Sequence, residues 1–139
     1  MKKFLIAIGI IAVLIGGWLL FAKSLMPGAE EVIAVFHERY NQRDFKAIYE
    51  QMTSKEFKEI LAYEPVFKYF GDTHDALGGV TASKKGAWGL FYENVGLIFN
   101  IEYATTFEKG QARECFKLVK RGPFWRILLY DLKENPDNP

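Results

Sequence analysis

The sequence predicts an α+β protein: an N-terminal transmembrane helix, then three to four helices packed on one face of a four-stranded antiparallel sheet. Three observations predict it. Residues 4–22 form an unbroken run without a charge, apolar residues then recur at helical spacing as far as Leu77, and from Val80 the period changes to alternation broken by turn residues. Helices first and strands afterwards is the order of an α+β domain rather than of repeated βαβ units.

At about 1.5 Å per residue, residues 4–22 are long enough to cross the hydrocarbon core of a bilayer. Lys2 and Lys3 precede the segment, and the positive-inside bias keeps them cytoplasmic and puts everything after Lys23 on the far side. The competing reading is a cleaved signal peptide, with Ala22-Lys23-Ser24 as the small-residue site, which would leave a secreted or periplasmic domain. The anchor is the better fit, because secretory apolar regions run about 7–15 residues. Trp18 also lies near the outer end, where an indole prefers the interface. The resulting division is residues 1–24 as anchor or signal segment, 25–28 (Leu25-Met26-Pro27-Gly28) as linker, 29–132 as domain, and 133–139 as a polar, Pro-rich tail expected to be disordered.

The chain has 139 residues in all, and the portion beyond the apolar segment is large enough for one core and too small for a second domain. Three Trp, seven Tyr and twelve Phe imply an aromatic-lined interior. Setting aside Lys2, Lys3 and Lys23 leaves 15 of the 18 basic residues against 17 acidic ones, a net of −2. That balance argues against nucleic acid as partner, since its binding needs a concentrated basic face. Cys115 is the single cysteine, so neither a disulfide within the chain nor a Cys-based metal site is expected.

Val32, Ile33, Phe36 and Tyr40 form the apolar stripe of a first helix, with Glu30, Glu31, Glu38 and Arg39 between them. Asn41-Gln42-Arg43 interrupts it, and Asp44 caps a short second helix carrying Phe45, Ile48, Tyr49 and Met52 at i, i+3, i+4, i+7. Thr53-Ser54-Lys55-Glu56 matches a capping box that opens a third helix with Phe57, Ile60 and Leu61. Pro65 sits in the first turn of a fourth, with Val66, Phe67, Phe70, His74 and Leu77 along one side and Gly78-Gly79 as its stop. Strands are predicted at about 80–91, 95–107, 111–120 and 124–132, the last three as a meander. An outer sheet face offering Trp88, Phe124, Leu128 and Tyr130 is a candidate homodimer surface.

The run Phe36-His37-Glu38-Arg39-Tyr40-Asn41-Gln42-Arg43-Asp44-Phe45-Lys46-Ala47-Ile48-Tyr49 resembles the opening helices of nuclear-transport-factor-2-like (cystatin-like) domains. The run from Gly110 to Lys120, followed by Trp125-Arg126-Ile127, resembles that family's last hairpin, and the likeness covers roughly residues 29–132. The chain is also similar to small membrane-anchored or exported bacterial envelope proteins. The resemblance implies a curved sheet wrapped into a cone whose mouth holds any ligand. It places Phe36, Tyr40, Tyr103, Phe116 and Trp125 around that cavity. Plain core is the competing reading of these aromatic residues, and the commoner one for such stripes.

Enzymes of this superfamily use a carboxylate base and a Tyr or protonated acid as donor inside the cone. The chain departs from that pattern in having Phe36 eight residues before Asp44, where those enzymes carry a catalytic Tyr. His37, Asp44 and His74 are the remaining acid–base candidates. His37 is expected on the wet side of the first helix beside Glu38, Asp44 is explained by capping, and His74 reads as a polar interruption of an apolar face. Cys115 should face outward with Arg113 and Lys117, where a lone strand cysteine is usually inert. No catalytic residue, cofactor or metal site is assigned. The sequence thus favours a membrane-anchored extracytoplasmic binding or assembly module that engages a small apolar ligand or another envelope protein. The alternative is an isomerase- or dehydratase-like enzyme, which requires a carboxylate or His pointing into the cone.

Overall fold

A computed structural model of the chain describes residues 1–134. Helix α1 (Lys2–Asn41) runs 40 residues without a break, and its first half is long and apolar enough to cross a membrane. The linker expected at 25–28 is helix instead, with Pro27 inside it. A proline there removes one intrahelical bond and crowds the preceding turn, but tertiary packing holds the segment in place. Ala22, Met26 and Ala29 are buried against the domain. Gly28 lies so close to the Trp125 indole that an added Cβ would stand 3.5 Å from its Cδ1. Contact between α1 and the domain therefore begins at Ala22 rather than at residue 29.

After α1 the chain turns through Arg43, whose φ of 58° is in the left-handed region. Asp44 Oδ1 accepts from the Ala47 amide at 3.2 Å, capping α2 (Phe45–Ala47), which widens into a π-helical turn (Ile48–Met52). Phe45, Ile48 and Met52 are buried, as their spacing predicts. The next cap is Ser54, one residue later than the capping-box pattern suggests: its Oγ accepts from the Phe57 amide, and Glu56 pairs with Arg121 instead. Helix α3 (Lys55–Ile60) is too short to hide a stripe. Phe57 is buried, whereas Ile60 and Leu61, expected beside it, are exposed. Helix α4 (Tyr63–Leu77) buries Val66 and Phe70 and ends at Gly78, whose φ of 77° suits glycine alone.

The strands are β1 (Val80–Glu93), β2 (Gly96–Phe107), β3 (Gly110–Arg121) and β4 (Phe124–Glu134), in the spatial order β1-β2-β3-β4 with every pair antiparallel. Each lies within two residues of its expected bounds. Lys133 and Glu134, expected in the tail, pair in β4 with Arg113 and Ala112, and residues 135–139 lie outside the described residues. The helices cover one sheet face, where Phe99, Ile101, Phe116, Leu118 and Ile127 meet Ile33, Phe36, Ile48 and Phe70 in one buried cluster.

The proposed outer face needs correction. Opposite Lys117 and Leu118, β4 slips by one residue at Leu128. A bulge reverses which side chains face inward beyond it. Trp125 and Ile127 point to the helices before the slip, and Tyr130 and Leu132 do so after it. Tyr130 is therefore an interior residue. A second irregularity, between Lys85 and Trp88, leaves Trp88 packed on Phe99 with ring centroids 5.9 Å apart. Of the four residues expected outside, Phe124 is exposed and Leu128 half-buried.

Gly78→Ala tests the turn that joins the helical layer to the sheet. Its Cβ would stand 2.8 Å from Glu108 Cβ at a positive φ, so a loss of about 1–3 kcal/mol is expected in denaturant unfolding of the full chain.

Candidate functional site

Glu114 on β3 has no exposed surface. Its direction follows from strand parity: Phe116 and Leu118 face the helices, so Glu114 and Ala112 face them as well. A carboxylate buried without donors costs several kcal/mol, and three donors meet this one. His37 Nε2 lies 2.6 Å from Oε1, which places one hydrogen between the two atoms, and the imidazole is the donor when Glu114 is ionised. The Thr105 hydroxyl donates to the same oxygen, and the Tyr130 hydroxyl donates to Oε2 at 2.6 Å. The three come from α1, β2 and β4, so the carboxylate ties the first helix to both strands beside its own.

His37, expected in water, is buried. Ile33, Phe36, His37 and Tyr40 stand at i, i+3, i+4, i+7, which puts the imidazole on the buried stripe and not beside Glu38. Burial, followed by the Glu114 charge, raises the Tyr130 phenol well above its ordinary range. The Tyr40 phenol is raised by the same causes in the same order. Burial first, then Glu30 and Glu114, pushes Tyr103 up to about 12. All three phenols stay protonated at neutral pH, which keeps Tyr130 a donor to Glu114 and Tyr40 a donor to the Gly78 carbonyl.

Of the five aromatic residues expected around a cavity, four come together around Glu114. Phe36 meets Phe116 at 5.3 Å and Tyr40 at 6.3 Å between ring centroids, and Tyr103 meets Phe116 at 6.1 Å. Trp125 stands apart, 5.3 Å from Phe99 and against Gly28. These rings fill the interior by packing on one another, and the concavities lie at its margins. A cleft of about 260 Å³ is lined by His37 and Tyr103 together with Glu30, Ile33, Ser83 and Lys85. Glu30 and Lys85 pair across it at 2.6 Å. A larger groove of about 570 Å³ runs between α1 and the start of β4, with Val32, Val35, Met52, Phe124 and Trp125 along it and Glu31, Arg39, Gln51 and Arg126 among its walls. Its size is that of small-ligand sites, which run about 300–1,000 Å³.

The other sequence candidates are structural. Asp44 is a cap. Arg43 Nη1 lies 3.0 Å from both His74 Nδ1 and Asp75 Oδ1, so His74 helps to hold the turn after α1. Cys115 faces outward, and burial, then the Glu102 charge, raises its thiol, which lowers the thiolate fraction. Among the described residues no group of His, Cys, Asp and Glu is placed to hold a metal ion. Sequence reasoning missed Glu114, although the parity that turns Phe116 inward also turns Glu114 inward. Tyr130 carried no such signal, because the bulge that reverses it is invisible to alternation.

Tyr130→Phe leaves Glu114 Oε2 without its donor, and a loss of about 1–3 kcal/mol is expected at neutral pH. Tyr103 adds a pH dependence. Its phenol ionises near 10 in the unfolded chain and near 12 when folded, so its contribution is intact below pH 10 and lost as pH rises from 10 through about 12. Unfolding curves of Tyr103→Phe should fall less steeply than wild type across that window; parallel curves would remove the assignment.

Compared with known protein families and with curated proteins, the chain matches no family model and no individual protein.

Proposed function

We propose that this chain is a membrane-anchored binding or assembly module, its folded domain held outside the cytoplasm, with the groove beside Trp125 as its binding site. The observation that carries the reading is the continuity of α1: one helix contains the apolar segment and the buried face of the domain, so the groove is held at a fixed height above residues 4–22. A flexible tether would suit a domain that only needs to stay nearby. A rigid helix suits one that presents a surface in a set orientation to a small apolar ligand or to a neighbouring envelope protein. The filled interior supports the same choice, since the cone residues spend their surface on each other. The order of helices and meander is compatible with the nuclear-transport-factor-2-like resemblance, which we retain as part of the proposal. A homodimer through the outer sheet face draws less support, because Trp88 and Tyr130 turn inward.

In intact cells, Lys109→Cys in a Cys115→Ser background should react with a membrane-impermeant maleimide; protection until lysis would place the domain in the cytoplasm. A photo-crosslinking residue at Gln51 should give adducts that the same residue at Lys68, on α4, does not give. Equal yields from both positions would sink the groove as the site.

One observation favours the second reading, an acid–base enzyme of the isomerase or dehydratase kind. His37 lines the small cleft while its Nε2 bonds a buried carboxylate, an arrangement that can orient a histidine as a general base. That reading requires small molecules to reach the ring. Diethyl pyrocarbonate should then modify His37 in the native chain, and an unmodified His37 removes the enzyme from consideration.

A further inference from the structure

Two hairpin turns and the outer end of the apolar segment gather on one side of the domain. Trp125 pairs with Lys120, and Lys120 follows Val119, the partner of Ile98, so Trp125 is level with Leu97 in the sheet. The same indole rests on Gly28 of α1. From Gly28 the helix descends six residues to Ala22, about 9 Å. From Leu97 the β1–β2 turn descends to Val95, about 7 Å. The β3–β4 turn is tied alongside, with Arg121 Nη1 donating to the Val95 carbonyl at 2.8 Å. Both turns therefore come down beside the residues where the apolar segment ends.

What they expose there is aromatic. Tyr92 is 80 % and Phe124 59 % exposed, and Phe91 and Val95 are also open, above the outer end of the apolar segment, where Trp18 and Phe21 of α1 are exposed as well. Rings with one apolar body and one wet edge favour the headgroup region of a bilayer. Lys23, Lys120 and Arg126 lie among them, and among the described residues none of these three pairs with a carboxylate. Lys120 Nζ stands 5.3 Å from the Trp125 ring centroid and the Arg126 guanidinium 5.3 Å from that of Phe124. Arg126 over the exposed Phe124 ring, with Lys120 held beside it on the buried Trp125, matches an anionic lipid surface, in which the Phe124 ring enters the interface and the two charges meet the headgroups.

We infer that the β1–β2 and β3–β4 turns dock on the surface of the same bilayer that holds residues 4–22, seating Tyr92 and Phe124 among the headgroups and setting Lys120 and Arg126 against anionic lipid. This rests on the reading that residues 4–22 span the membrane. The domain then stands on three supports, one helix and two turns, and the groove beside Trp125 opens close to the lipid surface.

The full chain in nanodiscs of phosphatidylcholine with phosphatidylglycerol provides the test, with nitroxide labels placed one at a time at Leu14→Cys, Tyr92→Cys, Phe124→Cys and Lys109→Cys in the Cys115→Ser background. Labels at positions 14, 92 and 124 should be more accessible to oxygen than to an aqueous nickel chelate, and the label at 109, on the opposite end, should show the reverse. If position 14 is in lipid while 92 and 124 are as aqueous as 109, the docking is overturned and the span stands. If position 14 is itself aqueous, both fall. Replacing phosphatidylglycerol by phosphatidylcholine, or introducing Lys120→Gln with Arg126→Gln, should shift position 124 toward the chelate; no shift from either change overturns the role given to the cations.

Discussion

A carboxylate sealed from water has to be met by donors, and the fold of this domain is arranged around that requirement at Glu114. His37, Thr105 and Tyr130 each supply one hydrogen, and they arrive from α1, β2 and β4. None of the three could serve if its element were displaced by a single residue. A one-residue slip in β4 would turn Tyr130 to the outside, and a rotation of α1 by one position would replace the imidazole with Glu38 or Phe36. The carboxylate thus specifies register, in a core whose aromatic packing alone would tolerate several arrangements.

The same helix that carries His37 carries the apolar segment, and the consequence is mechanical. Pro27 and Gly28 would ordinarily invite a bend, yet Ala22, Met26 and Ala29 are all buried against the domain and the Trp125 indole closes on Gly28. Packing on both sides of the proline offsets the missing backbone bond, which is of the order of 3 kcal/mol in an exposed helix. The apolar segment and the domain are therefore one rigid piece, and the groove, the small cleft and the hairpin turns keep fixed heights relative to it. This fixed geometry is what the proposed binding site and the proposed lipid contacts share.

Much of the architecture was legible because it depends on local chemistry. The change of apolar period at Val80 marks the start of β1, Asp44 is the cap it was read to be, and Gly78 ends α4 at a positive φ. The five aromatic residues placed around the cavity are all buried, although the sequence could not distinguish a ring that lines a space from one that fills it, since both require the same apolar side chain at the same spacing. His37 was misplaced for a related reason: its neighbour Glu38 suggested the wet face, whereas the helical spacing from Ile33 already placed it on the buried one.

Sequence by itself determined the element order, the antiparallel meander and the existence of an apolar segment long enough to cross a membrane, because periodicity and turn chemistry act over a few residues. Tertiary structure alone decided the continuity of α1 through Pro27, the bulge at Leu128 that turns Tyr130 inward, and the meeting of His37, Thr105 and Tyr130 on Glu114. Each of these depends on contacts between residues distant in the chain: an indole across from Gly28, a strand that must slip to keep its apolar side chains covered, and a buried charge that only donors from other elements can satisfy.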